Sequence, residues 1–259
     1  MEEIVHIIPL SFEIDRAVKP FENMRANRAY LVYSRKLKGK NIVPDASYFI
    51  KAVKRKLEQL NIEVIIVESN LSDPLPLLST ISNLINREKK AKNLIYVNMS
   101  ASGKLTAVSA TLAAMYHDVK VYYVNTDGGY ARDENEVQKH GLSIVNDPKC
   151  SILTNFTIDI PSGAKSTFLT ELYKKGKMTM KDIIQLIKEN KLQGFDDLNE
   201  SINGRQRSQN NLLVRINRGL LDELKLNGYI QIEKKGRSKV ITITDKGIYA
   251  ACLIGTVTG

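Results

Sequence analysis

Val97-Asn98-Met99-Ser100-Ala101-Ser102-Gly103-Lys104 leaves an apolar strand, Leu94–Val97, and enters an Ala-rich helical stretch, Leu105–Tyr116. A strand that passes through small hydroxylic residues, one glycine and a lysine into a helix is the signature of a βα unit. The amides and positive dipole end of the helix N-terminus favour an anion there. The spacing of a Walker loop, GxxxxGK[ST], is absent, so nucleotide hydrolysis of that type is not indicated.

The same rhythm extends to both sides of this stretch. Upstream lie apolar strands at Ile4–Pro9, Ala29–Tyr33 and Val64–Val67, separated by helical segments at Arg16–Met24, Tyr48–Leu60 and Leu75–Arg87. Phe49, Val53, Leu57 and Leu60 give the second helix its apolar stripe. Downstream, Val119–Val124 is a further strand. Near-continuous β-branched strands alternating with helices predict a Rossmann-like, mostly parallel sheet covered by helices on both faces. A β-hairpin of Gly141–Val145 and Ser151–Ile160, turning at Asn146-Asp147-Pro148, is expected to close the region.

Ligands of such sheets bind beyond the carboxyl ends of the strands. That rule gathers Ser11, Phe12 and Arg16 after the first strand with Asn98, Ser100, Ala101, Ser102, Gly103 and Lys104. Asn125 and Asp127 follow the last parallel strand. A dinucleotide coenzyme is not favoured, since G-x-G-x-x-G is missing. No cofactor is expected.

The chain's 259 residues carry a net charge of +10, unevenly placed. Residues 1–160 hold 21 Lys and Arg against 18 Asp and Glu; residues 161–259 hold 17 against 10. A basic rear part suggests a polyanionic partner, nucleic acid before membrane. No apolar run is long enough to span a bilayer, and Met1-Glu2-Glu3 lacks a basic signal-peptide start, so a cytoplasmic location is expected. Cys150 and Cys252 are too few and too far apart for a disulfide framework or zinc site, and no metal is expected.

Pro161–Lys165 reads as a linker, placing domains at 1–162 and 163–259. The second has another order. A helix capped by Ser166 or Thr167 and ended by Gly176 precedes a second, Met180–Glu189, capped by Thr179. A loop over Gly194–Gly204 leads to a long helix, about Gln206–Leu226, with core face Leu212, Leu213, Ile216, Leu220 and Leu224. Its polar side carries Arg205, Arg207, Gln209, Asn210, Asn211, Arg215 and Arg218. Tyr229–Glu233 and Lys239–Ile243 form a hairpin whose basic tip is Lys234, Lys235 and Arg237, joined by Lys239; a helix Lys246–Ile254 follows. Helix, helix, basic helix and basic hairpin is the order of a winged helix-turn-helix. Its Arg, Asn and Gln side chains suit base edges and its wing lysines suit phosphates of double-stranded DNA. A winged domain used for dimerisation or protein contacts has the same order.

A Rossmann-like domain with an S-x-G-K-type βα turn, joined to a winged helix, resembles the CARF–HTH transcriptional regulators associated with CRISPR systems. The resemblance rests on domain order, Leu94–Tyr116 and the wing pattern Gly228–Gly247. It implies a homodimer that binds cyclic oligoadenylate, cyclic tetra-adenylate favoured, across a two-fold axis. It also implies Ser100, Ser102, Gly103 and Lys104 on the phosphates, Ser11, Phe12 and Arg16 at the first-strand turn, and Asn125 and Asp127 farther along the pocket. Many relatives carry a second glycine and a threonine around the lysine, where this chain has Ser100-Ala101-Ser102-Gly103-Lys104. Some CARF domains cleave their ligand by 2′-hydroxyl attack, which would assign Ser11 and Lys104 to a ring nuclease. No histidine falls in the expected rim as a general base: His6 lies within a strand, His117 ends a helix and His140 precedes the hairpin. A sensor of some other small anion is the third reading.

Overall fold

The computed structural model describes residues 2–190, 192, 194, 195, 212–236 and 238–255. The chain divides into two compact units, Met1–Ile158 and Asp159–Gly259, against the boundary at 162/163 expected from the linker.

The front unit holds β1 (Ile4–Pro9), α1 (Asp15–Val18), β2 (Arg28–Tyr33), α2 (Ala46–Gln59), β3 (Glu63–Glu68), α3 (Pro74–Lys90), β4 (Leu94–Asn98), α4 (Lys104–Tyr116), β5 (Lys120–Val124), α5 (Glu134–His140) and β6 (Cys150–Ile152). The strands form one sheet in the order β3-β2-β1-β4-β5-β6. The first five run parallel and β6 runs antiparallel to β5. The apolar runs expected of a doubly covered sheet become its buried centre: Val5, Ile7, Ile8, Ala29, Tyr30, Leu31 and Val97 exclude solvent almost completely. On one side Phe49, Val53 and Leu57 of α2 pack in a cluster with Ile8, Ala29 and Leu31, while α3 and α4 lie against each other and against β1, β4 and β5. Helix α3 starts where sequence chemistry puts it. Pro74 occupies the first turn of α3 beneath an Asp73 carboxylate that accepts from Leu75 N–H at 3.1 Å.

Three local expectations are corrected. The helix over 16–24 is only the single turn α1 followed by a 3₁₀ turn, Lys19–Glu22, because Pro20 supplies no amide to continue an α-helix. Residues 141–145 do not pair with 151–160 as a hairpin. Instead they form isolated bridges, Glu13 to Gly141 and Tyr130 to Ser143, while Cys150–Ile152 joins β5. The turn expected at Asn146-Asp147 is held elsewhere, with both amides donating to the Asp127 carboxylate at 2.6 and 3.0 Å. Helix α5 was not anticipated. It starts with a reciprocal cap in which Asp133 accepts from Glu136 N–H and the Glu136 carboxylate accepts from Arg132 N–H.

The rear unit contains α6 (Ala164–Lys175), β7 (Lys177–Thr179), α7 (Met180–Asn190), a helical run over 212–226 here called α8, β8 (Ile230–Lys235), β9 (Ser238–Ile243) and α9 (Asp245–Ile254). Its sheet has the order β7-β9-β8. Phe168, Leu172, Ile183, Ile187, Ile216, Leu220, Leu224 and Ile241 build one core. The expected caps of α6 are displaced: Ser166 and Thr167 lie inside it, their hydroxyls donating to the Gly163 carbonyl. Thr179 does cap α7 through the Asp182 amide and carboxylate. Strand β7 was also missed. Within α8, Asn217–Leu221 is a π-helical turn that the 3.6-residue stripe did not disclose. There Asn217 Nδ2 donates to the Leu213 carbonyl at 2.6 Å, competing with the backbone ladder. Of the long helix expected over 206–226, residues 206–211 lie outside the described residues, as does most of the loop expected over 194–204.

Candidate functional site

Strand order reverses between β1 and β4, and the loops leaving their carboxyl ends meet at that switch point. Ser11 N–H donates to the Ala101 carbonyl at 3.1 Å, tying one loop to the other. The two loops flank a cleft of about 440 Å³ lined by Ser11, Phe12, Glu13, Leu37, Leu71, Ser72, Ser102, Gly103, Lys104, Leu105, Thr106 and Leu142. Lys104 opens α4 on an extended Gly103, and no side chain caps that end. The first amides of a helix have no partner inside it, so the cleft combines unpaired N–H donors, serine hydroxyls and an ammonium group.

Of the eleven residues expected to bind a ligand, Ser11, Phe12, Ser102, Gly103 and Lys104 line this cleft. Four others lie beneath it as a frame. Buried Asn98 donates to the Arg16 carbonyl at 2.8 Å, and its Oδ1 accepts from both the amide and the hydroxyl of Ser100. Ser100 Oγ in turn accepts from Val124 N–H at 3.1 Å. The Arg16 guanidinium donates to the Ser100 carbonyl and the Tyr123 hydroxyl and sits 5.2 Å over the Tyr123 ring. Ala101 is fully buried and contributes its carbonyl to Ser11. The remaining two hold a neighbouring loop: Asn125 donates to Lys149 and Ser151, and Asp127 gathers the Asn146 and Asp147 amides. Those amide bonds hold the exposed Asp127 carboxyl below its usual range.

The cleft also contains residues that the sequence reading passed over. Glu13 is the notable one, a buried carboxyl bonded to Ser143 and pushed above the usual carboxylate range by burial. Its position four residues after β1 was the available signal. Leu37, Leu71 and Leu142 come from loops whose approach only the tertiary fold creates. Of the three histidines, His140 donates from Nδ1 to the buried Asp15 carboxylate at 2.8 Å. His6 lies in the sheet core, and His117 follows α4. None lines the cleft.

In the rear unit, Lys234 and Lys239 face each other across the β8–β9 hairpin, and Lys239 Nζ donates to Asn217 Oδ1 on α8 at 3.1 Å. Arg215 reaches the Gly194 carbonyl at 2.7 Å and lies over the Phe195 ring; Arg218 lines a neighbouring pocket with Lys165 and Ser162. Lys235 stands opposite Ser238 at the hairpin end. Arg205, Arg207, Gln209, Asn210, Asn211 and Arg237 lie outside the described residues. Among the described residues no group of His, Cys, Asp and Glu could hold a metal ion, and no helix is long and apolar enough to cross a membrane.

A Rossmann-like domain with a polar cleft at its switch point, followed by a winged helix domain, defines the class. Residues 4–128 match the family model described as HFX_2341_N-like, N-terminal. Residues 164–255 match the one described as the DUF6293 C-terminal winged helix domain. The two matches thus fall one on each unit, an HFX_2341_N-like model on the front one and a winged helix model on the rear one. No curated protein matches it. Among solved structures, it is similar to Enterococcus italicus Csm6 bound to cyclic hexa-2′-fluoro-hexa-dAMP, at 14% identity and a TM-score of 0.43, over 85% of this chain and 56% of that one. It is likewise similar to Can2 from Sulfobacillus thermosulfidooxidans in complex with cyclic tetra-adenylate, at 14% identity and 0.41, over 96% and 63%. Protein VC1899 from Vibrio cholerae stands at 13% and 0.42, over 96% and 64%. The chain thus spans 56–64% of the length of these three proteins, and none of the likenesses assigns it a ligand.

Proposed function

We propose that this chain is a ligand-responsive DNA-binding regulator whose front domains, paired as a homodimer, hold a cyclic oligoadenylate, cyclic tetra-adenylate favoured. The observation that carries the reading is the cleft at the switch point, where Ser102, Gly103 and Lys104 open an uncapped helix beside Ser11. Those donors suit a phosphodiester. A second copy has a surface to meet: Leu105 and Val108 on α4 are 47% and 56% exposed, and Leu105 also lines the cleft. A two-fold pairing there would present each contact twice to a cyclic, symmetric guest. In the rear domain, Lys234 and Lys239 on the hairpin, with Arg215 and Arg218 on α8, suit a polyanionic duplex.

Coupling requires that the ligand favour one arrangement of the dimer over another. The test is binding of the full chain to double-stranded DNA recovered by selection from a random library, with and without cyclic tetra-adenylate. A shift of about 5-fold or more in affinity is expected for a coupling of ~1 kcal/mol. Equal affinities at saturating ligand overturn the regulatory coupling, and no binding of any cyclic adenylate overturns the ligand.

One observation favours a second reading, a ring nuclease: Ser11 and Lys104 line the same cleft. Linear products from labelled cyclic tetra-adenylate, lost in Ser11→Ala and Lys104→Ala, would establish it in place of a purely sensory site.

A further inference from the structure

The rear unit holds a recess of about 640 Å³ between the start of α7, the first half of α8 and the Ser238–Lys239 end of β9. Among the described residues its floor is apolar. Met180 and Ile184 are half-buried and pack on the rear core, and Leu213 completes the surface. Its rim is cationic: Lys181 and Lys239 are exposed there, and no carboxylate stands among the described lining residues. The acid next in sequence, Asp182, is engaged elsewhere, its carboxylate accepting from the Thr179 amide and hydroxyl at 2.7 and 2.8 Å. Asn217, which opens the π-helical turn of α8, fixes one wall. Its Nδ2 donates to the Leu213 carbonyl and its Oδ1 accepts from Lys239 Nζ at 3.1 Å. That bond holds the ammonium beside the recess and leaves it donors for a ligand. Single π turns of this kind recur at functional sites.

The volume falls within the ~300–1,000 Å³ of small-molecule pockets. An apolar floor beneath two cations complements one kind of guest, an apolar body that ends in an anion. A duplex laid on the hairpin presents a charged phosphate edge and would leave the floor unfilled. We propose that this groove binds an amphipathic carboxylate, its aliphatic tail on Met180, Ile184 and Leu213 and its head between Lys181 and Lys239. Burial of the tail supplies most of the affinity, and the exposed lysines select the charge of the head. The site is independent of the front cleft. On the regulatory reading above, Lys239 also meets DNA, so the carboxylate and the duplex exclude each other there.

The test is methyl NMR of the full chain, labelled at Met and Ile, titrated with octanoate and separately with octanol. Octanoate should move the Met180 and Ile184 signals saturably and bind about 10-fold tighter than octanol, since each exposed ion pair contributes up to about 5-fold. Lys181→Gln should narrow that preference to about 3-fold and leave octanol binding as it was. Circular dichroism of the variant verifies its fold. Equal binding of the two probes, or a preference that Lys181→Gln leaves intact, overturns the carboxylate assignment. Signals that stay unmoved, or that shift on dilution alone because a second copy covers the groove, overturn the site. Double-stranded DNA should release bound octanoate; octanoate that stays in place on a DNA-saturated chain overturns the shared use of Lys239. Failure of the chain to bind DNA at all counts against the regulatory reading and leaves the groove standing.

Discussion

His6 offers a sharp test of how the front sheet is packed. It lies on β1 with no exposed surface, its ring stacked on Tyr96 at 5.0 Å and met edge-on by Phe21 at 4.8 Å. Nε2 lies 3.2 Å from the Arg25 carbonyl, so it carries the proton; Nδ1 then accepts from the Tyr122 hydroxyl at 3.1 Å. Burial depresses the pKa from 6.5 to about 4, against a weaker upward pull from the Arg25 carbonyl. Between those two values the unfolded chain binds a proton that the folded chain refuses. Stability therefore rises with pH through this window and is lost on acidification from 6.5 toward 4. The gap between 6.5 and about 4, at ~1.36 kcal/mol for each tenfold change in proton affinity, gives about 3 kcal/mol over the full window. Glu13 acts in the opposite sense: burial raises its pKa, so its protonated form favours the fold and stability falls as pH rises above the unfolded carboxylate value. The wild-type profile alone is thus ambiguous, and the difference between wild type and His6→Gln isolates the imidazole. Urea unfolding followed by near-ultraviolet circular dichroism reports on the front unit, because eight of the eleven tyrosines lie in residues 1–158. The wild type should lose about 3 kcal/mol more than the variant between pH 6.5 and 4. A flat difference, or an NMR titration placing the His6 ring near 6.5, would refute the buried, neutral assignment.

Three further outcomes follow from named contacts. Gly141→Ala places a Cβ 2.5 Å from the Ile14 amide nitrogen and 2.7 Å from the Phe12 carbonyl, at a φ of +84°. It should lower the thermal midpoint and weaken cleft ligands, since Phe12 and Glu13 must move; unchanged binding would separate that loop from the site. Val108→Lys leaves the fold within about 0.5 kcal/mol of wild type, as exposed substitutions do, but should halve the mass seen by light scattering if α4 faces a second copy. A dimer that survives it places the interface elsewhere. Lys234→Ala should weaken DNA binding for all sequences alike and reduce the slope of log affinity against log salt by about 0.9, the share of one phosphate contact; an unaltered slope removes the wing from the interface.

The centre of the sheet was legible because its inner strands β1 and β2 are buried on both faces and so appear as nearly uninterrupted apolar runs, as in Ala29–Val32. The segment after β5 was not. Its strand β6 has only three residues, two of them exposed, and its fate depends on Asp127 capturing the amides of residues 146 and 147 from nearly twenty positions away. No local pattern marks that bond. The same holds for β7, where three residues, Lys177–Thr179, become a strand only because β9 pairs with them.

The β4–α4 turn shows why the candidate site was legible in outline and not in detail. Asn98, Ser100, Ser102, Gly103 and Lys104 are all small or polar residues after a strand, and sequence alone gives no ground for ranking them. The fold ranks them by hydrogen-bond accounting. Asn98 and Ser100 are buried, so each of their polar atoms must find a protein partner, and they find one another, Arg16 and Val124. That internal closure fixes the backbone of the turn, and it uses up the groups a ligand would need. Three positions further, the chain has emerged: Gly103 and Lys104 are exposed, and no side chain caps the helix they begin. An anion-binding turn needs both layers, an inner one that satisfies itself and an outer one left unsatisfied. Substituting Ser100 or Lys104 should therefore weaken ligand binding for different reasons. Ser100→Ala should also lower stability, whereas Lys104→Ala should leave it unchanged.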